Sequence, residues 1–425
     1  MPRILFNTFG SYGDLHPYLA IALELKLRRH NVTIATCPIY KEKVIAEGLN
    51  FLPVRPNIPD DPQFFHEIYH PRSGSERVIR FISASVRETF DDLLPSSRET
   101  DLIVTHPISF AAMAVARHLQ KPWVSTVLAP FSFCSAVDPS VLPNAPWLIH
   151  LRPLGPLPMR LVLGLGRKKT RAWTKPVLDL WRELELPPAH PLFEGQHSPH
   201  MVLGLFSRSM AVPQADWPTQ TLVTGFPFFD RHHEQFELDP AIAKFLDGGL
   251  APVVFTLGSS AVSVAADFYR QSLTAVLRLG IRAMFLTGPQ AQDLPSHLPG
   301  SVLAVPYAPH SAVFPRASII VHQGGIGTTG QALRSGRPSL IVPFGFDQFD
   351  NAERVRRLGM AAVLPRSQYN SSRARSVLSM LLGNQAMHQT AQRIGAAVRA
   401  EQGAIDAADA IERTLKPAAA GGAAS

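Results

Sequence analysis

Glycines, a histidine, two threonines and an acid–amide pair fall close together in residues 318–351, SIIVHQGGIGTTGQALRSGRPSLIVPFGFDQFDN. Within them GIGTTG (325–330) fits the spacing G-x-G-x-x-G after an apolar run, and Asp347 lies 22 positions beyond Gly325. By pattern alone this is a dinucleotide fingerprint. Two features argue against nicotinamide. That fingerprint normally sits on the first βα turn of its domain, whereas here it follows roughly the fourth strand of the second half of the chain. The ribose-reading acid of a dinucleotide site also ends the next strand directly, whereas Asp347 lies past a PFGF turn and is followed by Gln348. A third feature points elsewhere. His322 precedes the glycines at a strand end, where an imidazole can donate to a phosphate oxygen. The amides of Gly325, Gly327, Thr328 and Thr329 and the start of the following helix add partial positive charge at the same point. The two threonines add hydroxyl donors or cap the helix. The chemistry implied is capture of a diphosphate.

Elements of a definite kind must hold such a site. Apolar runs of about five residues recur at 3–7, 32–36, 101–105 and 123–127, separated by helical patterns such as 17–29, 39–47, 76–93 and 109–118. This rhythm predicts an α/β doubly wound parallel sheet. It restarts after residue 240, with strands expected at 252–256, 282–286, 301–305, 318–322, 339–343 and 361–365, and helices near 264–279, 373–383 and 386–414. Two alternating halves imply two facing Rossmann-like domains. The expected division is 1–210, a linker over 211–240, a second domain over 241–385, closing helices over 386–415 that pack back on the first domain, and a disordered tail over 416–425. Residues 129–200 break the rhythm with prolines at 139, 143, 146, 153, 156 and 158, interleaved with Phe131, Phe133, Trp147 and MRLVLGLG. They read either as surface loop with short helices or as an apolar wall for a hydrophobic ligand.

Composition narrows the class. A chain of 425 residues that is 46% hydrophobic can bury sizeable cores, which excludes global disorder. Its two cysteines, Cys37 and Cys134, match no metal spacing and suit a reducing compartment. Net charge is +8, but the basic residues are scattered apart from RKKTR at 167–171, and no nucleic-acid motif is present. No run of 18 apolar residues and no signal-peptide pattern occurs, so a cytoplasmic protein is expected, with peripheral contact at the inner membrane surface left open. Sequence says nothing about oligomeric state.

The stretch VPYAPHSAVFPRASIIVHQGGIGTTGQALRSGRPSLIVPFGFDQFDNA resembles the donor-binding motif of family 1, UDP-glycosyltransferase-like enzymes. Its form H-x-G-G-x-G-T-T, then P-F-x-x-D-Q-x-x-N-A, is similar to that of bacterial rhamnolipid rhamnosyltransferases and sterol glucosyltransferases. FGSYGDLHPYLAIALEL resembles the start of their acceptor domain, and GFPFFD (225–230) their interdomain region. The resemblance implies a GT-B fold, an N-terminal acceptor domain and a C-terminal domain binding a UDP- or dTDP-linked hexose, with no metal and no cofactor. It implies that Tyr307 lies beside the base, and that His322, Gly324, Gly325, Gly327, Thr328 and Thr329 surround the diphosphate. It places Asp347 and Gln348 on sugar hydroxyls, and Gly258 and Ser259 on a second loop near the diphosphate. One position departs from the plant members: a ribose-gripping glutamate is replaced by Gly330, with Gln331 beside it. This is compatible with a deoxyribose donor and does not exclude UDP.

Many members of the family place a histidine base in the first loop. Here that position is Asp14, at the C-terminal end of the first strand, where open α/β sheets put their ligands. The residue after the DLIVT strand, expected to orient the base, is His106. Either Asp14 is the base and His106 its partner, or the reverse; Asp14 also reads as a helix cap. His16 is a weaker candidate. Phe131, Phe133 and Trp147 are the candidate acceptor contacts, for a lipid, sterol-like or aromatic alcohol. The implied reaction is one displacement with inversion. A catalytically silent sugar-nucleotide-binding partner is the alternative.

Overall fold

A computed structural model describes residues 1–59, 61–70, 73–230, 238–259, 261–289 and 294–415. The tail expected at 416–425 lies outside them. The first sheet contains β1 (Arg3–Asn7), β2 (Asn31–Thr36), β3 (Asn50–Pro53), β4 (Leu102–Thr105), β5 (Trp123–Val127), β6 (Met201–Gly204) and β7 (Thr221–Val223). The second contains β8 (Val253–Thr256), β9 (Ala283–Leu286), β10 (Val302–Val305), β11 (Ile319–His322), β12 (Ser339–Ile341) and β13 (Ala361–Val363). Their orders are β3-β2-β1-β4-β5-β6-β7 and β10-β9-β8-β11-β12-β13, and the pairs are parallel. Central strands such as β4, β5, β8 and β11 are buried along their whole length, as parallel strands covered on both faces must be.

Each order has one switch point, between β1 and β4 in the first sheet and between β8 and β11 in the second. Chains leaving those strand ends diverge to opposite faces and open a crevice, where such sheets bind ligands. Asn7 pairs with Thr105 and Thr256 with His322, so the loops after each pair of strands depart side by side.

The helices include α1 (Tyr12–Leu27), α2 (Pro156–Arg171), α3 (Ile326–Ser335), α4 (Gln348–Arg357) and α5 (Gly403–Leu415). Several expectations change. α1 begins at Tyr12, not Pro17, because Ser11 and Asp14 form a capping box, which leaves Pro17 inside the helix. β7 lies within the span read as a linker, so the first sheet runs past residue 210. β6 and β7 are too short and too mixed to announce themselves as strands. The helix expected over 386–414 is two, Gln385–Ala400 and α5, with extended backbone at Glu401 between them. Glu401 Oε1 accepts hydrogen bonds from Ser207 Oγ (2.9 Å) and Arg208 N (3.0 Å) of the first domain, turning the chain back there. Ala407, Ala408, Ala410 and Ile411 of α5 then join the core of β1 and α1, and Arg28 of the first domain pairs with Asp409 and Glu412.

Candidate active site

The first switch point brings Asp14 and His106 together across 92 positions of sequence. His106 Nε2 lies 3.3 Å from Asp14 Oδ1. His106 Nδ1 accepts from Ile108 N (3.3 Å), so the proton sits on Nε2 and is donated to the carboxylate. Asp14 Oδ2 accepts from Ser11 N (2.7 Å) and Ser11 Oγ (3.1 Å). A carboxylate offers about four acceptor positions; these bonds fill three and leave room for an incoming hydroxyl. The Asp14 side chain is 32% exposed and that of His106 only 5%. Asp14 is therefore the reachable member of the pair, and its capping bonds fix its orientation rather than compete with that role. The His16 ring lies tilted against Tyr12 (5.3 Å) and Phe229 (5.0 Å).

At the second switch point the glycines do steric work. Gly324 has φ +89°, and a Cβ there would lie 2.9 Å from the Gln348 carbonyl oxygen, so the turn after β11 packs directly on the start of α4. Gly258, at φ +65°, packs against the Gln323 amide in the same way. Gly325 caps α3, so Thr328 and Thr329 lie inside the helix rather than capping it, and both are buried. The first-turn amides of α3 have no intrahelical partners and point along the helix axis. His322 is buried, and desolvation pushes its pKa down to about 3, so it is neutral. Its Nδ1 accepts from Gly324 N (3.1 Å), which places the proton on Nε2. That Nε2–H and the hydroxyl of Thr329 lack hydrogen-bond partners among the described residues. Buried donors are rarely left unpaired, and these two belong to the end of β11 and the first turn of α3, a helix N-terminus of the kind that can receive an anion. Ser259 and Tyr307 are exposed, in the loops that follow β8 and β10.

Asp347 stands at the N-terminus of α4. Its Oδ2 accepts from Asn351 Nδ2 (2.7 Å), and the same Asn351 amide donates to the Gly324 carbonyl (2.9 Å). Burial first, and the facing Asp14 charge among the lesser causes, push the Asp347 carboxyl up to about 7. Gln348 is largely spent: its Oε1 accepts from Phe344 N (2.8 Å) and Gly345 N (3.1 Å), which leaves Nε2 to offer a ligand.

The two sites face each other. A Cβ on Gly327 would lie 3.8 Å from Gly13 Cα, so the N-termini of α1 and α3 nearly touch. Gly330 packs on Phe226, where an added Cβ would come within 2.9 Å of the ring. Its neighbours Gln331 and Arg334 bind Asp230. The glutamate absent at 330 therefore has no space here.

The acceptor-side aromatic expectations fare differently. Phe133 is core, stacked on Trp217 at 3.8 Å; its faces are taken by packing, so it is not a ligand contact. Trp147 is 62% exposed in the one-sided segment Pro146–Leu154. Phe131 is half-buried in the turn after β5. A small cavity of about 20 Å³, room for a single water, lies among Thr8, Phe9, Val54, Ile108, Ser109 and Phe110, beside the loops that carry Asp14 and His106. Sequence reasoning also missed a buried ionic network. Arg354 of α4 pairs with Asp350 (2.7 Å) and with Asp138 of the first domain (2.5 Å). Arg152 and Arg357 also pair with Asp138, and Val141 N donates to Asp350 (3.1 Å). Burial would raise the Asp138 carboxyl, but Arg354, Arg357 and Arg152 outweigh it and hold it below the usual range. The irregular 134–152 segment is thereby fastened to the helix that carries Asp347.

Comparison with known proteins accords with this geometry. Residues 4–112 match the glycosyltransferase family 28 N-terminal domain, and residues 275–412 match the erythromycin biosynthesis protein CIII-like C-terminal domain. Both ends of the chain thus resemble glycosyltransferases of the family 1, GT-B kind. It is 29% identical to O-mycaminosyltylonolide 6-deoxyallosyltransferase of Streptomyces fradiae, over 96% of this chain and 97% of that one. It is 28% identical to a sterol 3-beta-glucosyltransferase of Yarrowia lipolytica over 97% of this chain, but spans only 29% of that longer protein. Among solved structures, the kitacinnamycin glycosyltransferase superposes with TM-score 0.75 at 21% identity, covering 98% of this chain and 100% of that chain. A spinosyn rhamnosyltransferase complexed with thymidine diphosphate gives TM-score 0.67 at 16% identity, covering 98% and 100%. Among the described residues, no helix is long and apolar enough to cross a membrane.

Proposed function

We propose that the enzyme moves a hexose, glucose or rhamnose, from a UDP- or dTDP-sugar to a hydroxyl of a hydrophobic acceptor, with inversion and without a metal. The observation that carries this is the opposition of Asp14, on the first domain, to the His322–Gly324–Thr328 cradle and Asp347 on the second, where Gly13 meets Gly327. The acceptor hydroxyl approaches the exposed side of Asp14 and gives its proton to the open lone pair of that carboxylate. A carboxylate is a weak base for a free alcohol, but it can take the proton late, as the attacking oxygen gains positive character. That oxygen bonds to the anomeric carbon while the bond to the diphosphate oxygen breaks. The leaving charge meets the α3 N-terminus and the Nε2–H of His322, donors fixed before reaction begins. Asp347 and the Gln348 amide hold sugar hydroxyls. His106 positions Asp14. The close packing of Gly330 on Phe226, and the thymidine diphosphate held by a structural relative, favour a deoxyribose-linked donor.

A donor panel tests the proposal. UDP-glucose, dTDP-glucose and dTDP-rhamnose are each incubated with a sterol, a β-hydroxy fatty acid and a macrolide aglycone, and nucleoside diphosphate release is followed. Acceptor-dependent release, with an inverted anomeric centre by NMR, is expected for at least one dTDP donor. Tight nucleotide binding with no release from any pair would instead assign a silent binding protein.

A further inference from the structure

Helix α2 buries only Met159, although it carries four leucines. Leu157, Leu161 and Leu165 are 68%, 73% and 71% exposed. At four-residue spacing they form a stripe along one side of the helix. Met159 and Thr170 lie on the opposite side; the Thr170 hydroxyl reaches His190, within the first domain. Leu154 (67% exposed) and Trp147 (62%) continue the apolar surface into the preceding segment. An apolar patch of this extent marks an interaction surface.

Charge identifies the occupant. α2 carries Arg160, Arg167, Lys168, Lys169 and Arg171 and no acidic residue. Arg167 is paired with Glu194, and Lys169 lies over the Trp173 ring. Arg160, Lys168 and Arg171 have no carboxylate partner among the described residues. Lys168 falls in line with the leucines, and Arg160 and Arg171 lie together along one edge of the stripe. A second copy of the chain would bring these cations against themselves across a two-fold axis. A bilayer containing anionic lipid satisfies both parts at once. The leucines enter the boundary between headgroups and acyl chains, the cations meet lipid phosphates, and Trp147 suits the interfacial layer. We propose that α2 lies flat on an anionic membrane surface and docks the first domain there. The inference does not depend on the identity of the sugar or acceptor.

The test is flotation of the full chain with phosphatidylcholine vesicles, with and without about 30% phosphatidylglycerol, at low salt and at about 0.5 M salt. Binding is expected to the anionic vesicles, to weaken with salt, and to fall about tenfold in Leu161→Glu and in Lys168→Glu/Arg171→Glu. The melting midpoint and turnover of a water-soluble acceptor should be unchanged in both. The charge-reversal pair keeps the test decisive if Leu161→Glu folds poorly. Absence of binding to anionic vesicles, or binding indifferent to the charge reversal, would overturn the inference. So would a dimer, seen by sedimentation, that Leu161→Glu converts to folded monomer.

Discussion

The two walls of the cleft are built in opposite ways. The wall proposed to hold the donor is backbone: glycines at positive φ or in close contact, a helix N-terminus, and one histidine whose tautomer is set by the amide two residues on. The wall proposed to face the acceptor is side chains brought from afar, with Asp14 and His106 92 positions apart and Asp138 fastened to Arg354 across 216. Binding a diphosphate is a task any member of such a family repeats, and backbone amides perform it with little help from side-chain identity. Shaping a pocket for a particular alcohol needs side chains, and these can change while the scaffold stays. The contrast predicts that substitutions in the donor wall act locally on donor affinity. Those in the acceptor wall should act through the geometry between domains.

Arg354→Ala should have the largest effect, because it removes the cation buried between Asp350 and Asp138; Asp350 then keeps only the Val141 amide, while Asp138 retains Arg152 and Arg357. A loss of about 3–5 kcal/mol is expected from denaturant unfolding. Should Arg354→Ala cost no more than an exposed arginine, the network is ornamental. His106→Ala should lower kcat by about tenfold to a hundredfold with donor affinity intact. His106→Gln, which keeps a donor for Asp14, should recover part of the loss. Equal loss in donor affinity would show that His106 supports the fold rather than the base.

The smallest effect concerns Asp347, and its sign is informative. Its folded pKa, about 7, exceeds its ordinary value of 3.8. Proton binding thus favours the folded state, a contribution complete below about pH 3.8 and lost as pH rises through 7. Asp347→Asn should therefore raise the melting midpoint at pH 8 by about 2 °C, with the gain vanishing near pH 4. Donor affinity should fall in the same variant. A stabilised, weakened enzyme is what a strained binding carboxyl predicts.

The donor wall was legible because its sequence is local. HQGGIGTTG names its own turn and helix, and the strands expected at 252–256, 282–286 and 318–322 are present as Val253–Thr256, Ala283–Leu286 and Ile319–His322. The start of α1 is set by the Ser11-x-x-Asp14 capping signal, which the sequence carries ahead of the more conspicuous Pro17. Phe133 was misread because an aromatic in a proline-rich stretch looks like a ligand wall until Trp217 is seen stacked on it. The Arg354 network could not be read at all. Its members are ordinary helix and loop charges, and only the docking of the two domains buries them together.

The most direct test is Asp14→Asn, with transfer measured in single turnover and donor affinity by calorimetry. Asparagine keeps the shape and one accepting oxygen but cannot take a proton. The account predicts transfer slowed by about a thousandfold, with donor dissociation constants within about twofold of the parent. Near-normal transfer would show that Asp14 only caps its helix, and would contradict the account.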